Sequence, residues 1–299
     1  MKHRPISCYN RAMIVDFHTH IVSRAIKENR SKYIGTDPCF DVLYASPKAK
    51  LATAEDLIAS MDKDGVDISV ALNIAWTKHE LCVATNDYIM EAIARYPRRL
   101  IGFGAVALPS FQRKDAALRE IERCARGGMR GIGEIRPAWQ LTANEDNRIV
   151  GTFIETIIKH NLILLTHASE PVGHQYPGKG DITPDKLYPL ITKFPNLTLV
   201  CAHWGGGLPF YALMPEVKKA MANVFFDTAA SPFLYNPQIY HQVIQILGAE
   251  KILFGSDYPL LAQSRLLKEV RSLNLAKATE RLILGGNARR LLGLTDTKG

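Results

Sequence analysis

Eight short apolar segments, each followed by a helix-like segment, recur along the 299 residues of the chain. The segments are nearly continuous in apolar residues instead of alternating, which is typical of strands covered on both faces and therefore of a parallel sheet. They occupy residues 14–17, 67–74, 100–108, 129–135, 162–166, 197–202, 224–227 and 252–255. Eight β/α units joined by right-handed crossovers predict an α/β chain that folds as one (β/α)8 TIM barrel.

The domain organisation follows from the connections between these units. No linker divides the chain, so we expect one domain over residues 1–299, closed by short helices over 264–299. The longest connection, residues 21–52, follows the first strand, and a connection of that length is usually functional or disordered. We expect it to form a partial lid over the barrel mouth, with a mobile surface insertion as the alternative.

Composition narrows the class of protein. Hydrophobic residues make up 47% and charged residues 22%, which is ordinary for a soluble globular chain. The net charge of +8 comes from scattered lysines and arginines, which suits a small anionic substrate better than nucleic acid. Five widely spaced cysteines without a CxxC pair predict reduced thiols in the cytoplasm. No apolar run reaches the ~18 residues of a membrane span, and a homodimer is the default assembly.

Histidines and carboxylates stand at the carboxyl ends of five of the predicted strands. His18 and His20 follow the first strand one residue apart, so that both project to the same side and can chelate one cation. The carboxyl ends of barrel strands meet around one mouth, which predicts that these side chains converge on a divalent metal. The expected ligands are His18, His20, His167 and Asp257, with Glu134 and His203 as further candidates.

Two of these residues have alternative interpretations. His203 could bind a second metal, or it could act as a general acid or electrophile, since an imidazole exchanges protons near neutral pH. Glu134, alone among carboxylates at the end of the fourth strand, could bind a second metal or pair with Arg136. Asp257 is a candidate both for the metal and for accepting a proton from metal-bound water.

Four residues that directly follow candidate ligands are predicted to bind substrate. Arg136 could clamp a substrate carboxylate, because its planar guanidinium matches that group. Trp139, Trp204 and Tyr258 could form pocket walls, although ordinary loop packing explains each of them equally well.

Five blocks in order along the chain resemble the amidohydrolase superfamily: HTH at 18–20, THASE at 166–170, CAHWGGG at 201–207, FGSDYP at 254–259 and GGNARRLLGL at 285–294. The match is best to the amidohydrolase-related branch that includes aminocarboxymuconate-semialdehyde decarboxylase. The resemblance implies a metal-dependent barrel, commonly with zinc and sometimes manganese. It further implies that His18 and His20 are strand-one ligands and His167 the strand-five ligand. Asp257 would be the strand-eight ligand and proton acceptor, and His203 would be catalytic in single-metal members.

The fourth strand departs from part of that superfamily. It carries no lysine that could be carbamylated, which excludes the bridging ligand of urease-like members. The segment GIGEI instead resembles TatD-like deoxyribonucleases, in which a glutamate occupies this strand end. Either one or two ions are therefore expected. Zinc is the first expectation, and the same ligands also accept manganese, iron or cobalt.

Three functions fit these residues. The leading hypothesis is a metal-dependent hydrolase that activates water to cleave an amide- or lactone-type bond of a small anionic substrate. In it Asp257 accepts the proton and His203 polarises the carbonyl. The alternative is a non-oxidative decarboxylase of an aromatic or unsaturated carboxylic acid, with Arg136 as the carboxylate clamp. A TatD-like phosphodiesterase is a third, disfavoured by the scattered basic residues.

Overall fold

Eight parallel strands form one sheet in the computed structural model, which describes residues 12–74, 76–107, 114–136 and 147–294. Each strand pairs with the next in chain order, from β1–β2 through β7–β8. The strands are β1 Val15–His20, β2 Ile68–Leu72, β3 Leu100–Gly104, β4 Gly131–Ile135, β5 Ile163–Thr166, β6 Leu199–Cys201, β7 Val224–Asp227 and β8 Ile252–Leu253.

The sheet closes on itself between β1 and the residues that follow β8. The backbone nitrogen of Phe17 lies 2.7 Å from the carbonyl oxygen of Phe254, and that of His20 lies 2.6 Å from the carbonyl oxygen of Tyr258. A parallel bridge joins Thr19 to Tyr258. These contacts confirm the predicted (β/α)8 barrel.

Helices follow the strands and cover the outside of the barrel. Thr53 caps one of them in a capping box: its side chain accepts from the backbone of Asp56, whose carboxylate accepts from the backbone of Thr53 in return. The α-helices span Arg24–Glu28, Pro38–Tyr44, Ala54–Asp64, His79–Arg95, Lys114–Arg126, Asn147–Lys159, Pro184–Lys193, Pro215–Ala220, Ser231–Leu234, Gln238–Leu247, Gln263–Ser272, Lys277–Arg281 and Asn287–Leu292. None of the helices in the described ranges is both long enough and apolar enough to cross a membrane.

Side chains fill the interior of the barrel beneath its mouth. Phe17 and Phe103 meet edge to face with ring centroids 5.7 Å apart, and Val70, Leu165 and Val200 belong to the same fully buried cluster. Burying one such side chain stabilises the fold by roughly 1.5–3 kcal/mol. The strand ends above this layer are therefore held by a packed scaffold.

The connection after β1 packs against the mouth. Phe40, in the helix Pro38–Tyr44, stacks on Trp76 with the rings 5.2 Å apart and 8° from parallel. The carboxylate of Asp37 accepts from both the backbone nitrogen and the hydroxyl of Thr77, each at 2.7 Å. These contacts tie residues 21–52 to the loop after β2. That the segment moves as a lid stays a prediction, as does the single domain over 1–299.

Candidate metal centre

The two histidines at the end of β1 face each other and two carboxylates. Nε2 of His18 lies 3.0 Å from Nε2 of His20. Oδ1 of Asp257 lies 3.3 Å from Nε2 of His20 and 3.8 Å from Nε2 of His18. Oε2 of Glu134 lies 3.8 Å and 4.0 Å from the same two nitrogens. Ligands about 2.1 Å from one tetrahedral ion are themselves about 3.4 Å apart, so His18, His20 and Asp257 fit a divalent cation, and Glu134 lies beside them.

His203 forms a second group with Glu134 and His18. Nε2 of His203 lies 3.4 Å from Oε1 of Glu134, while Nδ1 lies 3.1 Å from the carbonyl oxygen of Ala229. Because a carbonyl only accepts, the ring hydrogen is on Nδ1, and Nε2 is free to hold a proton or a metal. One ligand atom each from His18, Glu134 and His203 lie within 4.8 Å of one another. The arrangement accommodates one ion or two.

His167 contacts Glu134 directly. Its Nδ1 is 2.8 Å from Oε1 of Glu134, and its Nε2 is 3.0 Å from the hydroxyl of Ser169. His167 belongs to neither group of candidate ligands among the described residues. In this arrangement it can orient the carboxylate of Glu134, and that it binds the metal itself stays a prediction.

A cavity of about 490 Å³ opens above these groups. Its polar floor includes His20, Glu134, His203 and Asp257, and its walls include Leu43, Tyr44, Tyr176, Phe233 and Leu260. Volumes of this size hold small ligands, and the walls are largely apolar. Leu43 and Tyr44 come from residues 21–52, which places that segment beside the cavity.

Arg136 lines the cavity, as expected for a clamp. Its side chain donates to the carbonyl oxygen of Gly178, and Nη1 lies 3.4 Å from Nδ1 of His167. Arg136 is only 9% exposed, so its charge acts in a poorly solvated environment. A buried guanidinium beside the candidate ligands provides a site for an anionic substrate group.

Two of the three aromatic candidates, Trp204 and Tyr258, do not line this cavity. Trp204 is fully buried; its Nε1 donates to the hydroxyl of Ser231 at 2.8 Å and its ring meets Tyr240 edge to face. The backbone at Trp204 has φ of 58°, in a left-handed stretch over residues 203–207 that accompanies this inward placement. Tyr258 is half-buried, and neither it nor Trp204 is among the described residues that line the cavity. Trp139 lies outside the described residues.

The family follows from a comparison with known proteins. The amidohydrolase family model matches residues 15–294, nearly the whole chain. The chain belongs to the amidohydrolase family.

Individual proteins resemble this chain at sequence identities of 19–23%. A 2-amino-3-carboxymuconate-6-semialdehyde decarboxylase of Dictyostelium discoideum is 23% identical, over 96% of this chain and 94% of that protein. A gamma-resorcylate decarboxylase of a Polaromonas species is 22% identical, over 80% and 83%. The crystal structure of a 5-carboxyvanillate decarboxylase of Novosphingobium aromaticivorans, complexed with manganese and 4-hydroxy-3-methoxy-5-nitrobenzoic acid, aligns with TM-score 0.75 and 19% identity, over 94% and 96%.

Electrostatics of this amidohydrolase site favour ionised carboxylates. Burial alone would raise the pKa of Glu134, but attraction and hydrogen bonding to His167 outweigh it and hold the pKa well below the usual range. For Asp257 burial is likewise outweighed, first by the hydrogen bond from His20 and then by the charge of His18, so its pKa is lowered. Two buried negative groups side by side require a compensating positive charge.

The pKa values of the histidines are shifted by burial and by the neighbouring charges. Burial alone would lower the pKa of His18, but attraction to Asp227 and its hydrogen bond raise the pKa to about 10. Burial also opposes the charged form of His203, and the hydrogen bond and charge of Glu134 raise its pKa. The pKa of His167 instead falls to about 3, because burial and the nearby guanidinium of Arg136 both disfavour its charge. The centre thus attracts cations, either protons or a metal.

Asp227, at the end of β7, is a part of the site that sequence reasoning missed. It is fully buried, and Oδ2 lies 2.8 Å from Nδ1 of His18. Oδ1 accepts from the backbone nitrogens of His203 at 2.9 Å and Ala229 at 3.0 Å. The sequence did contain a pattern that could have identified it: Asp227 is the last residue of the predicted strand 224–227, and other candidate carboxylates also stand at strand ends.

Proposed function

We propose that this amidohydrolase is a metal-dependent, non-oxidative decarboxylase of a small aromatic or unsaturated carboxylic acid. The observation that carries the proposal is the buried guanidinium of Arg136 in the same cavity as the ligand group around His18 and His20. The relatives favour this alternative over the hydrolase that was the leading hypothesis from sequence, because the three compared are named decarboxylases.

The candidate ligands for the ion are His18, His20, Asp257 and Glu134. Nitrogen and carboxylate oxygen donors suit manganese as well as zinc, and manganese is present in the related crystal structure. When bound, a divalent ion supplies Lewis-acid polarisation of a substrate oxygen. Outside this group, His167 holds Oε1 of Glu134 and so orients its carboxylate, as supporting partners of metal ligands generally do.

The substrate is held by the walls and the cation of the cavity. Tyr44, Phe233 and Leu260 line the cavity of about 490 Å³, which has room for one aromatic ring. Arg136 pairs with an anionic group of the substrate by charge-assisted hydrogen bonds, which are stronger in a poorly solvated cavity. Binding in this way excludes water from the carbon that reacts.

The reaction exchanges a carboxylate for a hydrogen at one carbon. The bond between the ring carbon and the carboxylate carbon breaks, CO2 leaves, and the electron pair stays on the ring carbon. That carbon must then receive a proton. We assign the proton to Nε2 of His203, which faces the cavity floor and whose pKa is raised by Glu134. Asp257, with its lowered pKa, is ionised and remains a ligand.

Carbon dioxide release in heavy water tests the proposal. The manganese-loaded or zinc-loaded enzyme is incubated in D2O with 2,6-dihydroxybenzoate, 5-carboxyvanillate and other hydroxybenzoates, and both CO2 and the organic product are measured. We expect one CO2 per product and one deuterium at the vacated carbon. Absence of CO2 from every acid, together with water-dependent cleavage of an amide or lactone panel, would establish the hydrolase instead.

A further inference from the structure

Asp227 makes three contacts that join two different parts of the site. One oxygen bonds to Nδ1 of His18 at 2.8 Å, and the other accepts two backbone N–H groups, those of His203 and Ala229. Ala229 in turn accepts from Nδ1 of His203 through its carbonyl oxygen. A single carboxylate on β7 therefore touches one candidate ligand directly and supports the candidate proton donor through the backbone.

The contact with His18 decides which of its nitrogens carries the hydrogen. An ionised carboxylate has no hydrogen to donate, so Nδ1 of His18 must be the donor. In the neutral ring that a metal requires, Nε2, 3.0 Å from Nε2 of His20, then has its lone pair for the metal. A carboxylate that bonds the outer nitrogen of a ligating histidine fixes the ring and raises its basicity.

We infer that Asp227 is a positioning residue that sets the tautomer of His18 and thereby enables it to bind the metal. This rests on the metal site proposed above. Asp227 does not touch substrate, and its effect is exerted through His18. Both side chains are fully buried, so bulk solvent does not reach their contact.

Asp227→Asn separates this role from a merely structural one. The amide oxygen of Asn keeps the two backbone bonds at His203 and Ala229, and the shape is unchanged. The amide nitrogen, however, donates to Nδ1 of His18 and forces the ring hydrogen onto Nε2, where a metal ligand must have none. Loss of such a supporting carboxylate typically weakens metal affinity by about 10–100-fold.

The experiment measures manganese affinity. Chelator-stripped wild-type chain, Asp227→Asn and Glu120→Gln are titrated with Mn2+ alone, and free manganese is followed by electron paramagnetic resonance. Glu120 is also a buried carboxylate; it bonds to Asn86 and Arg123, away from the site, and serves as the matched control. We expect roughly 10–100-fold weaker binding in Asp227→Asn and unchanged binding in Glu120→Gln. Wild-type affinity in Asp227→Asn would overturn the inference.

A measurement on the unmodified chain covers the case in which Asp227→Asn does not fold. With 15N-labelled histidine and Zn2+ bound, long-range 1H–15N spectra report the tautomer of each ring, and His18→Gln assigns the signal of His18. We expect hydrogen on Nδ1 and metal on Nε2; the opposite pattern would overturn the inference. A chain that binds metal in this way but releases no CO2 would refute the decarboxylase and leave the role of Asp227 intact.

Discussion

Replacement of Arg136 by glutamine tests the clamp that distinguishes the proposed decarboxylase. Glutamine keeps a polar amide but removes the positive charge from the cavity. A hydrogen bond to a charged group contributes about 1.5–3 kcal/mol, which corresponds to roughly a 10- to 150-fold loss in kcat/KM. The loss is expected mainly in KM, because the clamp binds the ground state as well as the transition state.

The assay compares Arg136→Gln with Lys48→Gln at saturating metal. Both residues line the cavity, but Lys48 is exposed, so its charge is screened by solvent and its removal is expected to change kcat/KM by less than about threefold. Initial rates of CO2 release over a range of substrate concentrations give kcat and KM separately. Metal content and thermal unfolding are measured in parallel. Arg136→Gln with normal metal content and kcat/KM within about twofold of the wild type would refute the clamp.

Three further predictions concern stability. Ser231→Ala leaves the buried indole N–H of Trp204 without the acceptor that now lies at 2.8 Å, and is expected to lower the free energy of unfolding by about 1–3 kcal/mol in denaturant titration; no loss would show that the indole finds another partner. Gly207→Ala is expected to lower the free energy of unfolding by about 1–2 kcal/mol, because residue 207 has a left-handed backbone. Gly206→Ala is expected to lower it further, because a Cβ at Gly206 would also lie 2.3 Å from the carbonyl oxygen of Ser169. Equal losses of stability in the two variants would contradict this contact. Addition of Mn2+ at about 100 times its Kd is expected to stabilise the stripped chain by about 2.7 kcal/mol, and an unchanged midpoint of unfolding at that concentration would contradict a native-state metal site.

Strand positions could be predicted closely from the sequence because burial on both faces leaves a continuous apolar signal. Each predicted segment contains or overlaps its strand, although the segment 100–108 extends past the end of β3 at Gly104. The convergence of strand ends follows from barrel geometry alone, and so His18, His20 and Asp257 could be placed near one another in advance.

Side-chain direction was not predictable in the same way. The end of a predicted strand gives the position of His167 along the chain but not the contact of its Nδ1 with Glu134. Trp204 was expected in the pocket, yet the left-handed backbone from residue 203 onward accompanies its burial in the core. Asp227 was overlooked because its partners are 209 and 24 residues away in sequence, and only the closed barrel brings them together.

Anomalous diffraction from crystals of the manganese-loaded chain tests most directly whether the strand ends hold a metal. We expect a peak at the rim of the barrel, bonded to Nε2 of both His18 and His20 and to carboxylate oxygens of Asp257 and Glu134. No peak at these atoms at saturating Mn2+, or a peak only on the surface of the molecule, would contradict this expectation.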